Sequence, residues 1–168
     1  ETIDRAGMLG LLMKEYRYPV AVAGAHGKTT TTSMVSLIFE NAGLDPTLLI
    51  GGELDQIGGN VKVGKGPYLV TEACEYRENF LKFSPYAAVV LNIDRDHLDF
   101  FRDFEHIKSA FERFVKLVPD HGWVVAYHGD PALMDIVPRL SCSVITYGTG
   151  EGAKVAARNI SFDANGCA

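Results

Sequence analysis

The sequence predicts an α/β fold: a three-layer, mostly parallel sheet flanked by helices. Three observations lead there. Short apolar runs alternate with helix-length stretches, the pattern of strand–helix–strand units with right-handed crossovers. The chain has 168 residues, 47% hydrophobic and 22% charged, enough for one domain with a substantial core. Polar residues also follow directly after several apolar runs, where parallel strands end along one edge of a sheet.

Residues 2–16 read as a helix, with Met8, Leu9, Leu11 and Leu12 apolar, leading into the first strand. Strands are expected at Val20–Ala23, Thr47–Ile50, Tyr68–Thr71, Ala87–Asn92, Trp123–Tyr127 and Ser143–Tyr147. Helices are expected at Thr30–Asn41, Phe104–Leu117 and Ala132–Leu140, with Gly43 a plausible stop for the first of these. Phe104, Ile107, Phe111, Phe114 and Val115 follow a helical period, so that aromatic stripe is core. Gly51 to Asn60 has the look of turns around a short hairpin, and its residues suggest no chemistry. Lys154–Phe162 reads as a strand and Asp163–Gly166 as a turn. A strand and turn so near the end expect a partner strand that the sequence lacks. Residues 1–168 are therefore expected to be a piece cut from a longer protein.

A net charge of -5, with lysines and arginines dispersed, argues against a sequence-independent grip on nucleic acid. Three cysteines (Cys74, Cys142, Cys167) show no metal-type pairing and read as reduced thiols. No apolar segment is long enough to cross a bilayer, and the opening ETIDRAGMLG lacks a signal-peptide layout. A cytoplasmic protein without nucleic-acid or membrane partners is expected, as a monomer or weak dimer.

The most informative stretch is VAVAGAHGKTTTT, residues 20–32. An apolar run ends in a glycine-bearing loop that opens into a helix. Unpaired N–H groups at a helix start point at an anion, and glycines allow close backbone approach. Gly24, Ala25, His26, Gly27, Lys28, Thr29 and Thr30 form a candidate phosphate cradle. Lys28 would reach the terminal phosphates, and the Thr29 hydroxyl would ligate magnesium. The spacing is short, with two residues rather than four between the first glycine and Gly27-Lys28-Thr29.

Other strand ends supply Glu72 and Glu75, then Asp94, Asp96 and His97, then His128 and Asp130. All are expected at one crevice. Carboxylates beside a polyphosphate repel it unless a divalent cation lies between, so Thr29 and Glu72 are assigned to a first magnesium. Each residue has a plainer reading. Glu72 could be a solvated strand-end residue, and Glu75 an exposed carboxylate at a helix start. His97 could cap its turn, with Asp94 and Asp96 only holding that turn. His26 suits a contact or loop-shaping residue better than a general base.

Together these residues resemble the Mur ligases, which build the peptide stem of bacterial peptidoglycan. AGAHGKTTTTSM is similar to the family's short phosphate loop. TEACEY resembles its Glu-Ala-Asp-Glu segment, and LNIDRDHLD its Asn-Ile-Glu-Ala-Asp-His segment. The resemblance implies a P-loop NTPase-like central, ATP-binding domain. It places Lys28 on the phosphates, Thr29 and Glu72 on the first magnesium and His97 on a second, so that Lys28, Glu72 and His97 carry catalysis. The loop histidine and the Glu-Ala-x-Glu form point to the branch that joins L-alanine to UDP-N-acetylmuramate. ATP would be split to ADP and phosphate through an acyl phosphate; a ligase that recycles murein tripeptide is the alternative. Ala25 stands where threonine is usual, Cys74 replaces an aspartate, and Asp94-Arg95 stands for Glu-Ala. The family's N-terminal UDP-binding and C-terminal domains are not in this sequence, so weak nucleotide binding and no ligation are expected of it. Lys28→Ala is expected to abolish magnesium–ATP binding with little loss of fold.

Overall fold

A computed structural model describes residues 2–163, 166 and 167. Helix α1 (Arg5–Met13) leads into β1 (Tyr18–Ala23) and α2 (Lys28–Asn41). After these come β2 (Thr47–Leu54), β3 (Gly59–Lys62), β4 (Tyr68–Ala73), β5 (Ala87–Val90) and α3 (Phe104–Val115). The main sheet is completed by β6 (Trp123–Tyr127), α4 (Pro131–Ile136), β7 (Ser143–Gly148) and β8 (Val155–Ala156). The eight strands run in the order β3–β2–β4–β1–β5–β6–β7–β8, and among these pairings only β2–β3 is antiparallel. The expected mostly parallel sheet is what forms.

Strand alternation sorts the apolar residues onto two faces. Val20, Leu48 and Val70 point one way, where Val35 and Phe39 of α2 cover them. Ala21, Leu69, Ala88, Val90 and Val124 point the other way, onto α1, α3 and α4. Ile107, Phe111 and Phe114 of α3 are fully buried there, as the aromatic period predicts. This is the third layer.

Element ends depart from expectation for local reasons. Helix α2 begins at Lys28 rather than Thr30, because Gly27 sits at φ +84 and turns the chain straight into the helix. Helix α1 is shorter than residues 2–16, with the Asp4 carboxylate capping the N–H of Gly7. Helix α4 stops at Ile136, and a single 3-10 turn over Val137–Arg139 follows. Pro138 cannot donate a hydrogen bond, so the α-helix cannot run on to Leu140.

The segment Gly51–Asn60 does form a hairpin, with a 3-10 turn at Asp55–Ile57 between β2 and β3. The single strand expected over Lys154–Phe162 is not seen. A left-handed Asn159 (φ +56) breaks it into β8 and a second piece, β9 (Phe162–Asp163). That piece pairs antiparallel with β10 (Gly166–Cys167), so the partner strand taken to be missing is present in short form. The turn expected at Asp163–Gly166 includes Ala164 and Asn165, which lie outside the described residues. Among the described residues, no helix is long and apolar enough to cross a membrane.

One feature of the register positions the site. Ala23 at the end of β1 is level with Ala73 of β4 on one side and Val90 of β5 on the other. Three loops therefore leave the sheet side by side.

Candidate nucleotide and metal site

The middle loop is the glycine-bearing one. Gly24 adopts φ +147, and a β-carbon there would stand 3.0 Å from Leu91 Cβ and 3.2 Å from the Asn92 nitrogen. Only glycine lets the loop pass so close to the β5 exit. Asn92 then holds the loop's next turn. Its side chain accepts from the His26 N–H (2.9 Å) and donates to the His26 carbonyl (3.0 Å), while its own carbonyl accepts from Ala25 N–H (3.2 Å). Asn92 thus pairs with the loop as a neighbouring strand would. The sequence reading placed it in a strand and gave it no role.

Helix α2 starts at the end of this loop with no side-chain cap on its first turn. Fourteen residues of aligned peptide dipoles end there, at N–H groups that lack intrahelical acceptors. Thr32 Oγ1 donates to the Lys28 carbonyl (2.8 Å), turning one of the four threonines inward. Thr29 and Thr30 stay exposed at the helix head. A phosphate fits this arrangement.

Lys28 folds back over the loop. Its Nζ donates to the carbonyls of Gly24 (2.6 Å) and Ala25 (3.2 Å), and to both carboxylate oxygens of Glu75 at 3.1 and 3.0 Å. Glu75 is only 1% exposed. It is not the exposed helix-start carboxylate that the sequence allowed. A carboxylate so far from water requires a cation, and Lys28 supplies one.

His97 arrives from the β5 side with φ +54, its N–H donating to Asp96 Oδ1 at 2.7 Å. Its Nε2 lies 3.7 Å from Glu75 Oε1. Glu75, Asp96 and His97 each offer one ligand atom, and these atoms lie within 4.8 Å of one another. Two carboxylates and an imidazole at that spacing suit a divalent cation. The Tyr76 ring packs on the His97 ring with centroids 4.7 Å apart, and its hydroxyl donates to Asp99 Oδ2 (2.8 Å).

Glu72 meets the backbone of a nearby strand. Its Oε1 accepts the Gly51 N–H at 2.6 Å, tying the end of β4 to β2. It lines a cavity of about 170 Å³ with Arg5, Leu9, Gly51, Cys74 and Asn79. Among the described residues, the carboxylates that cluster with His97 are Glu75 and Asp96, not Glu72. Glu75 thus joins Glu72 as a glutamate of the same segment placed at the loop ends, three positions further along the chain. Thr29 lies beside β2, where a β-carbon on Gly52 would meet its Cγ2 at 3.2 Å, one residue from the Gly51 N–H that Glu72 accepts.

Two other residues expected at the crevice have structural work instead. Asp130 is buried, capping α4 at the Leu133 N–H (3.0 Å) and accepting the Ile93 N–H (2.7 Å). His128 packs beside Gly150 and Gly152, on the loop after β7. Asp94 Oδ2 approaches His26 Nε2 to 3.6 Å, but both side chains are well exposed and the pair is weak. Cys74 and Cys142 are free thiols.

The architecture is that of a parallel α/β domain with a lysine-tipped glycine loop between its first strand and the helix that follows. Residues 22–168 match the Mur ligase middle domain family, and the chain belongs to that family. It is 55% identical over 166 residues to the UDP-N-acetylmuramate–L-alanine ligase of Caldanaerobacter subterraneus subsp. tengcongensis. That match covers 99% of this chain and 36% of the relative, so the chain spans about a third of the relative's length. Among solved structures, it superposes on the UDP-N-acetylmuramate:L-alanyl-gamma-D-glutamyl-meso-diaminopimelate ligase from Neisseria meningitides with a TM-score of 0.85. Identity there is 29%, covering 98% of this chain and 55% of the other. The UDP-N-acetylmuramate–alanine ligase of Thermotoga maritima gives a TM-score of 0.78 at 29% identity, covering 92% of this chain and 34% of that one.

Proposed function

We propose that this chain is the central domain of an ATP-dependent, ADP-forming amide ligase that adds L-alanine to UDP-N-acetylmuramate, acting in the cytoplasm in peptidoglycan synthesis. The observation that carries the reading is the meeting of Lys28, Glu75 and His97 at the head of an uncapped helix. The ligand choice follows the curated relatives at 51–56% identity, which bear that ligase name. The UDP-binding and amino-acid-binding parts would come from domains before and after residues 1–168, and the unit would work as a monomer or weak dimer.

Gly24, Ala25, His26, Gly27, Thr29 and Thr30 would hold the ATP phosphates through loop and helix N–H groups, with Lys28 neutralising the transferred phosphate. Magnesium fits the residues present: Thr29 beside the phosphates, and Glu75 and His97, with Asp96 in reach, on the side of β4 and β5. When bound, the metal supplies positive charge where an anionic carboxylate must approach an anionic phosphate, the main burden of phosphoryl transfer. Lys28 shares that work, and the buried Glu75 keeps it oriented. Glu72, the glutamate first assigned to magnesium, would instead keep β2 and β4 together beside the loop.

Calorimetric titration with magnesium–ATP tests the reading, comparing the chain with Lys28→Ala and Glu75→Gln. Loss of about a hundredfold in affinity is expected for either, matching the removal of one electrostatic group of this kind. Unchanged affinity in both variants would sink it.

A further inference from the structure

We propose that Glu78 is a positioning residue: clamped by helix α3, it holds a strained turn that aims Glu75 at Lys28 and His97. The inference rests on the Glu75 reading above. Directly after Glu75 and Tyr76, the backbone enters the left-handed region twice in succession, at Arg77 (φ +53) and Glu78 (φ +56). Neither is glycine, asparagine or aspartate. Such residues persist in this conformation only where their surroundings hold them in it, and they gather at functional sites.

The surroundings are visible. The Glu78 carboxylate accepts from both terminal nitrogens of Arg113, with Nη1 at 3.3 Å and Nη2 closer, and His106 Nε2 stands 3.4 Å away. Both partners project from α3. The Arg113 guanidinium holds the Glu78 carboxyl below the usual glutamate range, so the clamp is charged at neutral pH. On the main chain, Glu78 N–H donates to the Glu75 carbonyl (2.8 Å) and Phe80 N–H to the Cys74 carbonyl (3.1 Å). Two residues on, Phe80 is fully buried, stacked on Phe114 with centroids 4.6 Å apart.

The turn is therefore pinned at Phe80 by the core and at Glu78 by Arg113, with His106 beside it. Between those pins and the end of β4, the chain has little freedom except to double back, and doubling back puts Glu75 inside. Without the clamp, Arg77 and Glu78 would relax towards ordinary φ, and the peptide carrying Glu75 would rotate with them. Nothing in the sequence around TEACEYRENF signals this. Its cause lies in Arg113, 35 residues away from Glu78.

Two variants decide the point: Glu78→Gln, which keeps the shape and removes the charge, and Arg77→Gly combined with Glu78→Gln. Crystal structures of each report the Lys28–Glu75 separation, and calorimetry reports magnesium–ATP affinity. Glu78→Gln is expected to part Glu75 from Lys28 and weaken binding about tenfold, the usual scale for losing a supporting partner. The double variant is expected to restore both, because glycine takes a positive φ without strain. An unmoved Glu75 with affinity within about twofold of the parent in Glu78→Gln would overturn the proposal. So would equal damage in the single and double variants, which would mark a merely structural loss. Arg113→Met tests the same clamp from α3 if Glu78→Gln does not fold. If the unsubstituted chain binds no magnesium–ATP, the nucleotide-site reading fails, while the Lys28–Glu75 separation in the variants still judges the positioning role.

Discussion

The ammonium of Lys28 contacts both oxygens of Glu75, although 47 residues separate them in the chain. The lysine comes from the head of α2 and the glutamate from the turn after β4, and their side chains are respectively mostly and almost wholly buried. The pair joins the glycine-bearing loop to the cluster of Glu75, Asp96 and His97.

Removing Lys28 should therefore cost stability as well as binding, contrary to the sequence expectation of little loss of fold. Lys28→Ala leaves a buried carboxylate without its cation, a change that commonly costs about 3 kcal/mol. Adding Glu75→Gln should return much of that stability but none of the nucleotide affinity. Chemical denaturation of the two singles and the double gives the coupling directly. A Lys28→Ala variant as stable as the parent would show that the pair is not closed in solution.

The two glutamates of TEACE should separate cleanly. Glu75→Gln is expected to weaken magnesium–ATP binding about a hundredfold, whereas Glu72→Gln keeps an acceptor for Gly51 N–H and should change it by less than about threefold. Calorimetry under matched conditions measures both. The opposite ranking would return the metal to Glu72.

Asn92 should matter to the loop more than to the core. Asn92→Asp keeps the acceptor for His26 N–H but loses the donor to the His26 carbonyl and sets a negative charge beside the phosphates. A fall of at least about tenfold in ATP affinity is expected, from roughly 1.5 kcal/mol of lost and repulsive interaction. Amide exchange at His26 should quicken in the same variant. Protection equal to the parent's would mean that the loop does not depend on the Asn92 side chain.

Asp130 gives the reverse pattern. Asp130→Ala uncaps α4 and strands the buried Ile93 N–H, so a loss of about 2 kcal/mol in stability is expected with nucleotide affinity unchanged. Thermal melts and titrations report the two properties separately.

Acid should act through Glu78. Its folded-state pKa lies below the ordinary value of 4.5, chiefly through the Arg113 hydrogen bond. The stabilisation is thus complete above about pH 4.5 and drains away as pH falls through the lower folded value. Glu78→Gln should flatten that part of the acid unfolding curve. An identical curve would leave Glu78 without a share in it.

Much of this was legible beforehand, for definite reasons. The strand–helix alternation and the aromatic period of α3 reflect local burial, which sequence records directly. The tight loop between β1 and α2 was legible because Gly24 and Gly27 meet a local backbone need. The burial of Glu75 beside Lys28 was not. It depends on the turn after β4, which Arg113 and Phe114 shape from another element. Asn92 escaped notice because its partner is backbone, and backbone carries no sequence signature. Asp130 misled because an acidic residue after a strand reads alike whether it caps a helix or faces a ligand.

The level ends of β4, β1 and β5 make the strands themselves a measuring device. One residue gained or lost in any of the three would carry its loop about 3.3 Å along the sheet and swap which side chains face which layer. Insertions that the outer hairpins could absorb would here misalign lysine, glutamate and histidine at a stroke. Length in these three strands is as strictly constrained as the identity of the residues they deliver.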